Sequence, residues 1–166
     1  MKRVGDLLKN ETGRVRDASF RDVLARSAFN RYYYASYLKV RDLLGKISPK
    51  DRTARHKAIP AILKRLSRNI RRSVRKSLAA RGTGWPSSER ELSNVSRFLN
   101  EYADLLTRSY GVRCVADYHP ELKITEKTGS ILLDNTTLSE AQNWPQRADS
   151  LSGAITKICR QLGVCS

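Results

Sequence analysis

The sequence predicts an all-α fold in which residues 1–166 form one domain of packed helices. Apolar residues make up 40% of the chain, which is typical of a globular protein with a buried core. Over several long segments they recur at spacings of three and four, the periodicity of one helix face. Short connections join these segments, so neighbouring helices are expected to run antiparallel in a bundle.

The first long helix is predicted over residues 17–47. Gly45 and the pair Ser48 and Pro49 mark its end, because glycine and proline both disfavour a continuing helix. A shorter helix is predicted before it, over residues 2–9. The apolar face of the long helix comprises Phe20, Leu24, Ala28, Leu38 and Leu44, with Val23, Ala35 and Val40 beside them.

A second long helix is predicted over residues 58–80. Glycine and proline in residues 82–88 predict a loop, after which Ser88 and Glu91 have the spacing of a capping box. A third helix is predicted to start there, and its helical pattern weakens near Gly111. The apolar face of the second helix comprises Ile59, Ile62, Leu63, Leu66, Ile70, Val74 and Leu78.

Residues 111–137 have the least regular pattern. Pro120 interrupts any helix, because the residue before a proline is pushed out of the helical region. Residues 125–133 are predicted as helix, with strand as the alternative. The last helix is predicted to start at residue 137 or 138 and to end at residue 162.

Charge is the strongest compositional feature. The chain has 32 Lys and Arg against 16 Asp and Glu, a formal net charge of +16, which favours a polyanionic partner such as nucleic acid. No apolar run is long enough to cross a bilayer, and the N-terminus lacks the apolar block of a secretory signal. We therefore expect a soluble cytoplasmic protein that does not bind a membrane.

The three cysteines are Cys114, Cys159 and Cys165. Their odd number and their lack of C-x-x-C spacing favour free thiols over a disulfide framework or a zinc site. The carboxylates have no clustered ligand spacing either. The sequence therefore predicts no metal and no cofactor.

The second long helix carries most of the charge excess. Between Arg52 and Ser88 there are 11 Lys or Arg residues and no acidic residue. Nothing in that segment offsets their repulsion, so we expect a face that binds nucleic acid rather than one that is only solvated. An acidic protein partner is the alternative. Six of these residues share an arc of about 120° on the helix, at 100° per residue: Lys64, Arg65, Arg68, Arg71, Arg72 and Arg75.

Four tyrosines lie within two turns of the first long helix. Aromatic core packing with hydrated hydroxyls is the favoured interpretation. Stacking on unpaired bases is the alternative, although one helix cannot direct all four rings to one ligand. The residues are Tyr32, Tyr33, Tyr34 and Tyr37.

Two motifs resemble those of the HEPN family (higher eukaryotes and prokaryotes nucleotide-binding). Residues 31–35 read R-Y-Y-Y-A, and residues 113–118 read R-C-V-A-D-Y. Their order and spacing fit the family over residues 17–162. The resemblance implies an up-and-down bundle of four to five helices that forms a homodimer. Many members of the family are metal-independent ribonucleases of toxin–antitoxin or antiviral defence systems, and the resemblance implies this activity here.

The resemblance also implies a site, with Arg113 and His119 as the catalytic pair brought together across the dimer. Histidine can transfer the proton of a ribose 2′-OH, and arginine can hold the scissile phosphate. Asp117 is expected to orient a histidine or pair with Arg113, and Tyr118 to bond a phosphate oxygen. The chain departs from the family pattern in the residues that follow the pair, Cys114 and Pro120.

Non-catalytic alternatives remain open. Arg113 and Asp117 can form an i,i+4 ion pair while Tyr118 packs and His119 lies in a loop. The domain would then bind nucleic acid or an acidic partner, such as an antitoxin or a nucleotidyltransferase-like protein, or serve as a subunit of a larger complex. His56, the other histidine, is expected to start a helix beside the basic face.

Overall fold

The structure, a computed structural model, describes residues 1–81, 86–127 and 129–164. Helices occupy most of this part of the chain, which confirms the predicted fold class. The predicted bounds of the first long helix, the second long helix and the last helix agree with the structure to one residue at each end. The α-helices are α1 (Lys2–Thr12), α2 (Ala18–Ile47), α3 (Ile59–Arg81), α4 (Pro86–Tyr118) and α5 (Leu138–Gln161), and short 3₁₀ helices span Pro49–Asp51 and His56–Ala58.

The internal contacts divide the chain into two compact units. The first unit comprises Met1–Leu38 and Thr107–Arg147, and the second unit comprises Lys39–Leu106 and Ala148–Ser166. Helices α2, α4 and α5 therefore contribute residues to both units. Each unit has its own set of buried apolar side chains.

The core of the first unit is built on aromatic side chains of α2. Phe29 is fully buried and lies against Trp144 of α5, with ring centroids 6.4 Å apart. Tyr32 is also fully buried and packs against α1 at Gly5. A Cβ at Gly5 would lie 2.6 Å from Cε1 of Tyr32, so only glycine permits this approach of α1 to α2.

A small antiparallel sheet completes the first unit. It consists of β1 (Thr125–Lys127), β2 (Ser130–Leu133) and β3 (Thr136–Thr137), in the order β1-β2-β3. The helix predicted over residues 125–133 is therefore wrong. Asp134 and Asn135 connect β2 to β3 with φ angles of 47° and 58°, as the two-residue hairpin turn requires.

The core of the second unit contains the apolar face of α3. Its six described members are all buried, which confirms that part of the predicted stripe: Ile59, Ile62, Leu63, Leu66, Ile70 and Val74. The side chain of Leu78 lies outside the described residues. So do residues 82–85 of the loop predicted over 82–88, and the prediction is wrong for the last three residues of that loop because they belong to α4. Leu99 and Tyr102 of α4 and Ile155 of α5 are fully buried in the same unit.

Two other predictions about the helices are wrong. Helix α4 begins at Pro86, so Ser88 is not its N-cap, and it continues through Gly111 to Tyr118. The predicted apolar face of α2 is also wrong at Phe20, Val23 and Leu38, which are 52%, 54% and 42% exposed. Within residues 1–81, 86–127 and 129–164, no helix is long and apolar enough to span a membrane.

Candidate nucleic-acid interface and the Arg113 cluster

Helix α3 has one basic face, which we call the α3 basic face. Because its buried side chains lie on the opposite side, the long cations extend into solvent. All six predicted members are exposed: Lys64, Arg65, Arg68, Arg71, Arg72 and Arg75. This confirms the predicted orientation of the helix.

Three cations of the α3 basic face form ion pairs with acidic residues from other elements. Lys64 lies 3.3 Å from Asp104, Arg65 lies 2.8 Å from Asp51, and Arg71 lies 2.5 Å from Glu89. The expectation that nothing offsets the positive charge is therefore wrong for these three residues. All three acids lie outside the segment between Arg52 and Ser88, so a count of acids within that segment did not include them.

Arg68 and Arg72 differ from these three residues. Both are exposed, and neither forms an ion pair in the described part of the chain. An exposed guanidinium with open donors can bind a phosphate group through two parallel hydrogen bonds. These two arginines are therefore the most available anion contacts on the α3 basic face.

Asp51 holds the start of this region in place. Its carboxylate accepts a hydrogen bond of 2.6 Å from Ser48 and two bonds, of 2.8 and 2.9 Å, from Arg65. Burial works to raise the pKa of Asp51, but the Ser48 hydroxyl and the Arg65 charge outweigh it, so the pKa lies below its usual value. His56 begins the 3₁₀ helix that precedes α3, as predicted.

A second cluster surrounds Arg113 near the end of α4, within the first unit. Its Nη2 lies 2.5 Å from Oδ2 of Asp117, and its Nη1 donates to the Tyr118 hydroxyl at 3.4 Å. The guanidinium carbon also lies 5.1 Å from the centre of the Tyr118 ring. Asn30 of α2 donates a hydrogen bond to the other oxygen of Asp117. Helix α2 thus fixes the carboxylate that binds Arg113.

The surroundings of Arg113 favour its charged form. Burial opposes the charge, but the bond to Tyr118 and the carboxylate of Asp117 raise the pKa of Arg113 above its usual value. The side chain is 15% exposed, and its Nε is buried with no partner among the described residues. Arg113 is therefore a permanently charged group whose Nε donor is unused within the described residues.

His119 follows directly after the end of α4. Its ring is about half exposed, and Nδ1 lies 2.8 Å from Oε1 of Glu121. A backbone hydrogen bond of Glu121 itself, together with the bond to His119, lowers the pKa of Glu121. In the described part of the chain, no hydrogen bond joins His119 to Arg113 or to Asp117. The predicted orienting role of Asp117 toward a histidine is thus absent within one chain.

A buried ion pair that the sequence did not reveal lies beneath this segment. Nε of Arg26 donates to Asp22 at 2.8 Å, and both residues are less than 10% exposed. Nη1 of Arg26 donates to the carbonyl oxygens of Val115, Ala116 and His119 at 3.1 to 3.2 Å. The carbonyls of Val115 and His119 already accept backbone N–H donors, so Arg26 adds a further donor at the end of α4. The only sequence signal was an i,i+4 acid–base pair, which usually lies on the surface.

The four tyrosines of α2 have mixed environments. Tyr32, Tyr33 and Tyr37 are buried, which confirms core packing for these three, while Tyr34 is half-buried. The Tyr33 ring lies 5.8 Å from that of Tyr110. Burial raises the pKa of Tyr33 above its usual value. Of the four rings, only that of Tyr34 is exposed enough for contact with a base.

Metal ligation has no candidate in the described part of the chain. Among residues 1–81, 86–127 and 129–164, no three His, Cys, Asp or Glu residues are grouped closely enough to bind a metal ion. Cys114 and Cys159 are free thiols, and Cys165 lies outside the described residues.

Comparison with protein-family models, curated proteins and solved structures gave no match for this chain.

Proposed function

We propose that this protein binds RNA through the α3 basic face. The observation that carries the proposal is the exposure of six cations on one side of a single helix. A phosphate backbone presents regularly spaced negative charges, and arginine matches phosphate geometry better than lysine does. Since Arg68 and Arg72 have no acidic partner in the described residues, we place the strongest phosphate contacts there.

The test measures the affinity for a fluorescently labelled single-stranded RNA by anisotropy. The variant R68E/R72E should bind at least tenfold more weakly, because it replaces two attractive phosphate contacts with repulsive ones. The control R3E/R16E changes the net charge equally at two exposed positions of the first unit. Equal losses in both variants would show that only total charge matters, and no binding by the wild type would refute the proposal.

A second candidate function is metal-independent RNA cleavage by Arg113 and His119, in line with the HEPN resemblance. The observation that favours it is the grouping of Arg113, Asp117 and Tyr118 in the turn of α4 that directly precedes His119, whose ring is half exposed. In one chain Asp117 and Tyr118 occupy both Nη atoms of Arg113. The proposal therefore places the active pair in a homodimer, where a second copy supplies the missing partner.

Exposed apolar side chains support the homodimer. Five large ones lie on α2 and around the end of α4, all within the first unit: Phe20, Val23, Leu38, Tyr118 and Leu122. Phe20 and Val23 lie one helical turn apart on α2 and so share a face, and an exposed apolar patch is typical of an association surface. Sedimentation should give twice the chain mass for the wild type, and the variant F20E/V23E should shift the equilibrium to monomer.

The cleavage test incubates RNA with purified protein in EDTA. The wild type should produce fragments, and H119A should produce none, because His119 is the proton-transfer group of the proposed pair. H56A is the control, since it removes the other histidine. Intact RNA with the wild type, or equal cutting by H119A, would eliminate this function and leave a binding module for RNA or an acidic partner such as an antitoxin or a nucleotidyltransferase-like protein.

A further inference from the structure

The second unit contains a groove of about 660 Å³ between residues of α2 and residues of α5. We call it the α2–α5 groove. Its lining is charged at both edges, with Lys39, Asp42 and Lys46 from α2 facing residues of α5. On α5 the charged lining residues are Asp149, Lys157 and Arg160. None of these residues belongs to the α3 basic face.

The groove carries an excess of unpaired positive charge. Lys39 lies 2.5 Å from Asp149, so these two charges neutralise each other. Lys46, Lys157 and Arg160 are exposed and form no ion pair within the described residues. Only Asp42 remains to offset these three cations. The groove therefore keeps a net positive charge after its ion pair is counted.

The floor of the groove is polar and open. Ser152 and Thr156 line it with hydroxyl groups, and the Ser152 hydroxyl donates to that of Tyr102 at 3.3 Å. Gly153 lies between them on the exposed side of α5, and a Cβ there would meet no atom within 4 Å. The absence of a side chain at this position lets a ligand approach the helix closely.

The lining selects among anionic partners. An acidic amphipathic helix would need an apolar groove for its anchoring side chains. Here the only large aliphatic lining residue in the described part of the chain is Leu43, which is 1% exposed. No aromatic ring lines the groove in that part either, so bases have no surface on which to stack. Cations and hydroxyls without an exposed large apolar side chain fit a phosphodiester backbone.

We propose that the α2–α5 groove binds the phosphate backbone of an RNA strand as a contact separate from the α3 basic face. Lys46, Lys157 and Arg160 would pair with phosphates. This inference rests on the proposed RNA binding. Because the groove offers no base contact, the additional affinity is independent of RNA sequence.

Gly153 provides a specific probe of the groove. The variant G153E places a carboxylate in the groove without disturbing the core, because the space beyond the glycine is open. The variant G153A keeps the groove neutral and adds a better helix former. The control N10E adds the same charge at an exposed position of α1. Circular dichroism should show equal helix content for all three variants.

The experiment measures binding of a labelled RNA of about 20 nucleotides by each variant. G153E should lower the affinity about tenfold and reduce its salt dependence, as loss of phosphate contacts does, whereas G153A and N10E should match the wild type. K157E/R160E should reproduce the loss without altering Gly153.

The outcomes separate the two proposals. If the wild type binds RNA and R68E/R72E weakens it while G153E and K157E/R160E do not, the groove proposal fails and RNA binding on α3 stands. If the wild type binds no RNA, both proposals fail. If G153E weakens binding of a poly-glutamate peptide but not of RNA, the groove recognises an acidic protein and the RNA assignment is overturned.

Discussion

The side chain of Arg26 binds the backbone at His119: its Nη1 donates a hydrogen bond to the His119 carbonyl at 3.2 Å. The same guanidinium is anchored by the buried carboxylate of Asp22. Asp22 in turn accepts a bond of 3.0 Å from the Ile124 amide. This pair of side chains on α2 therefore sets the path of the chain from the end of α4 to β1, including the position of His119.

We expect R26M to be strongly destabilising. It leaves Asp22 as a buried charge without its partner, a type of change that costs about 3–5 kcal/mol. Urea unfolding at neutral pH measures the free energy of unfolding. E126Q is the control, because it removes the 2.8 Å ion pair between Arg21 and a half-exposed carboxylate, which is worth about 1 kcal/mol or less. Equal losses in the two variants would contradict this account.

Replacing each of two helical glycines with alanine should change the stability of the protein in opposite directions. At Gly5 the new Cβ would lie 2.6 Å from a buried ring carbon of Tyr32, so G5A must displace α1 or the ring, at a cost of about 1–3 kcal/mol. At Gly111 nothing lies within 4 Å, so G111A should stabilise α4 by about 0.5–1 kcal/mol. Thermal unfolding tests the pair, and a G5A protein as stable as G111A would refute the packing of α1 on α2.

Asp51 should contribute to the loss of stability in acid. Its pKa in the folded protein lies below the unfolded value of about 3.9, so its ionised form stabilises the fold above that pH. The contribution disappears as the pH falls through the lower folded value. D51N should therefore be less stable than the wild type at pH 7 and lose less stability between pH 5 and pH 2. Parallel acid profiles for the two proteins would show that Asp51 is not linked to folding.

The helices with regular periodicity could be predicted, and those that depend on distant contacts could not. The apolar stripe of α3 was sufficient to place it. The last turn of α4 was missed because its carbonyls accept additional hydrogen bonds from Arg26, which lies 89 to 93 positions earlier in the chain. The hairpin of β2 and β3 did have a local signal, since Asp134 and Asn135 both tolerate positive φ.

The candidate site was predicted in part. Helical geometry placed the six cations of α3 on one exposed face. It could not show that Asp104 pairs with Lys64, or that Asp51 binds Arg65, because those acids belong to other elements. The predicted stripe of α2 failed because Asp22 and Arg26 occupy buried positions that simple periodicity assigns to apolar residues.

The salt dependence of RNA affinity tests the central claim most directly. For a single strand, the logarithm of the binding constant falls with the logarithm of salt concentration by about 0.7 per phosphate contact. If Arg68 and Arg72 each bind one phosphate, the slope for R68A/R72A should be smaller than that of the wild type by about 1.4. An unchanged slope in that variant would contradict RNA binding by the α3 basic face.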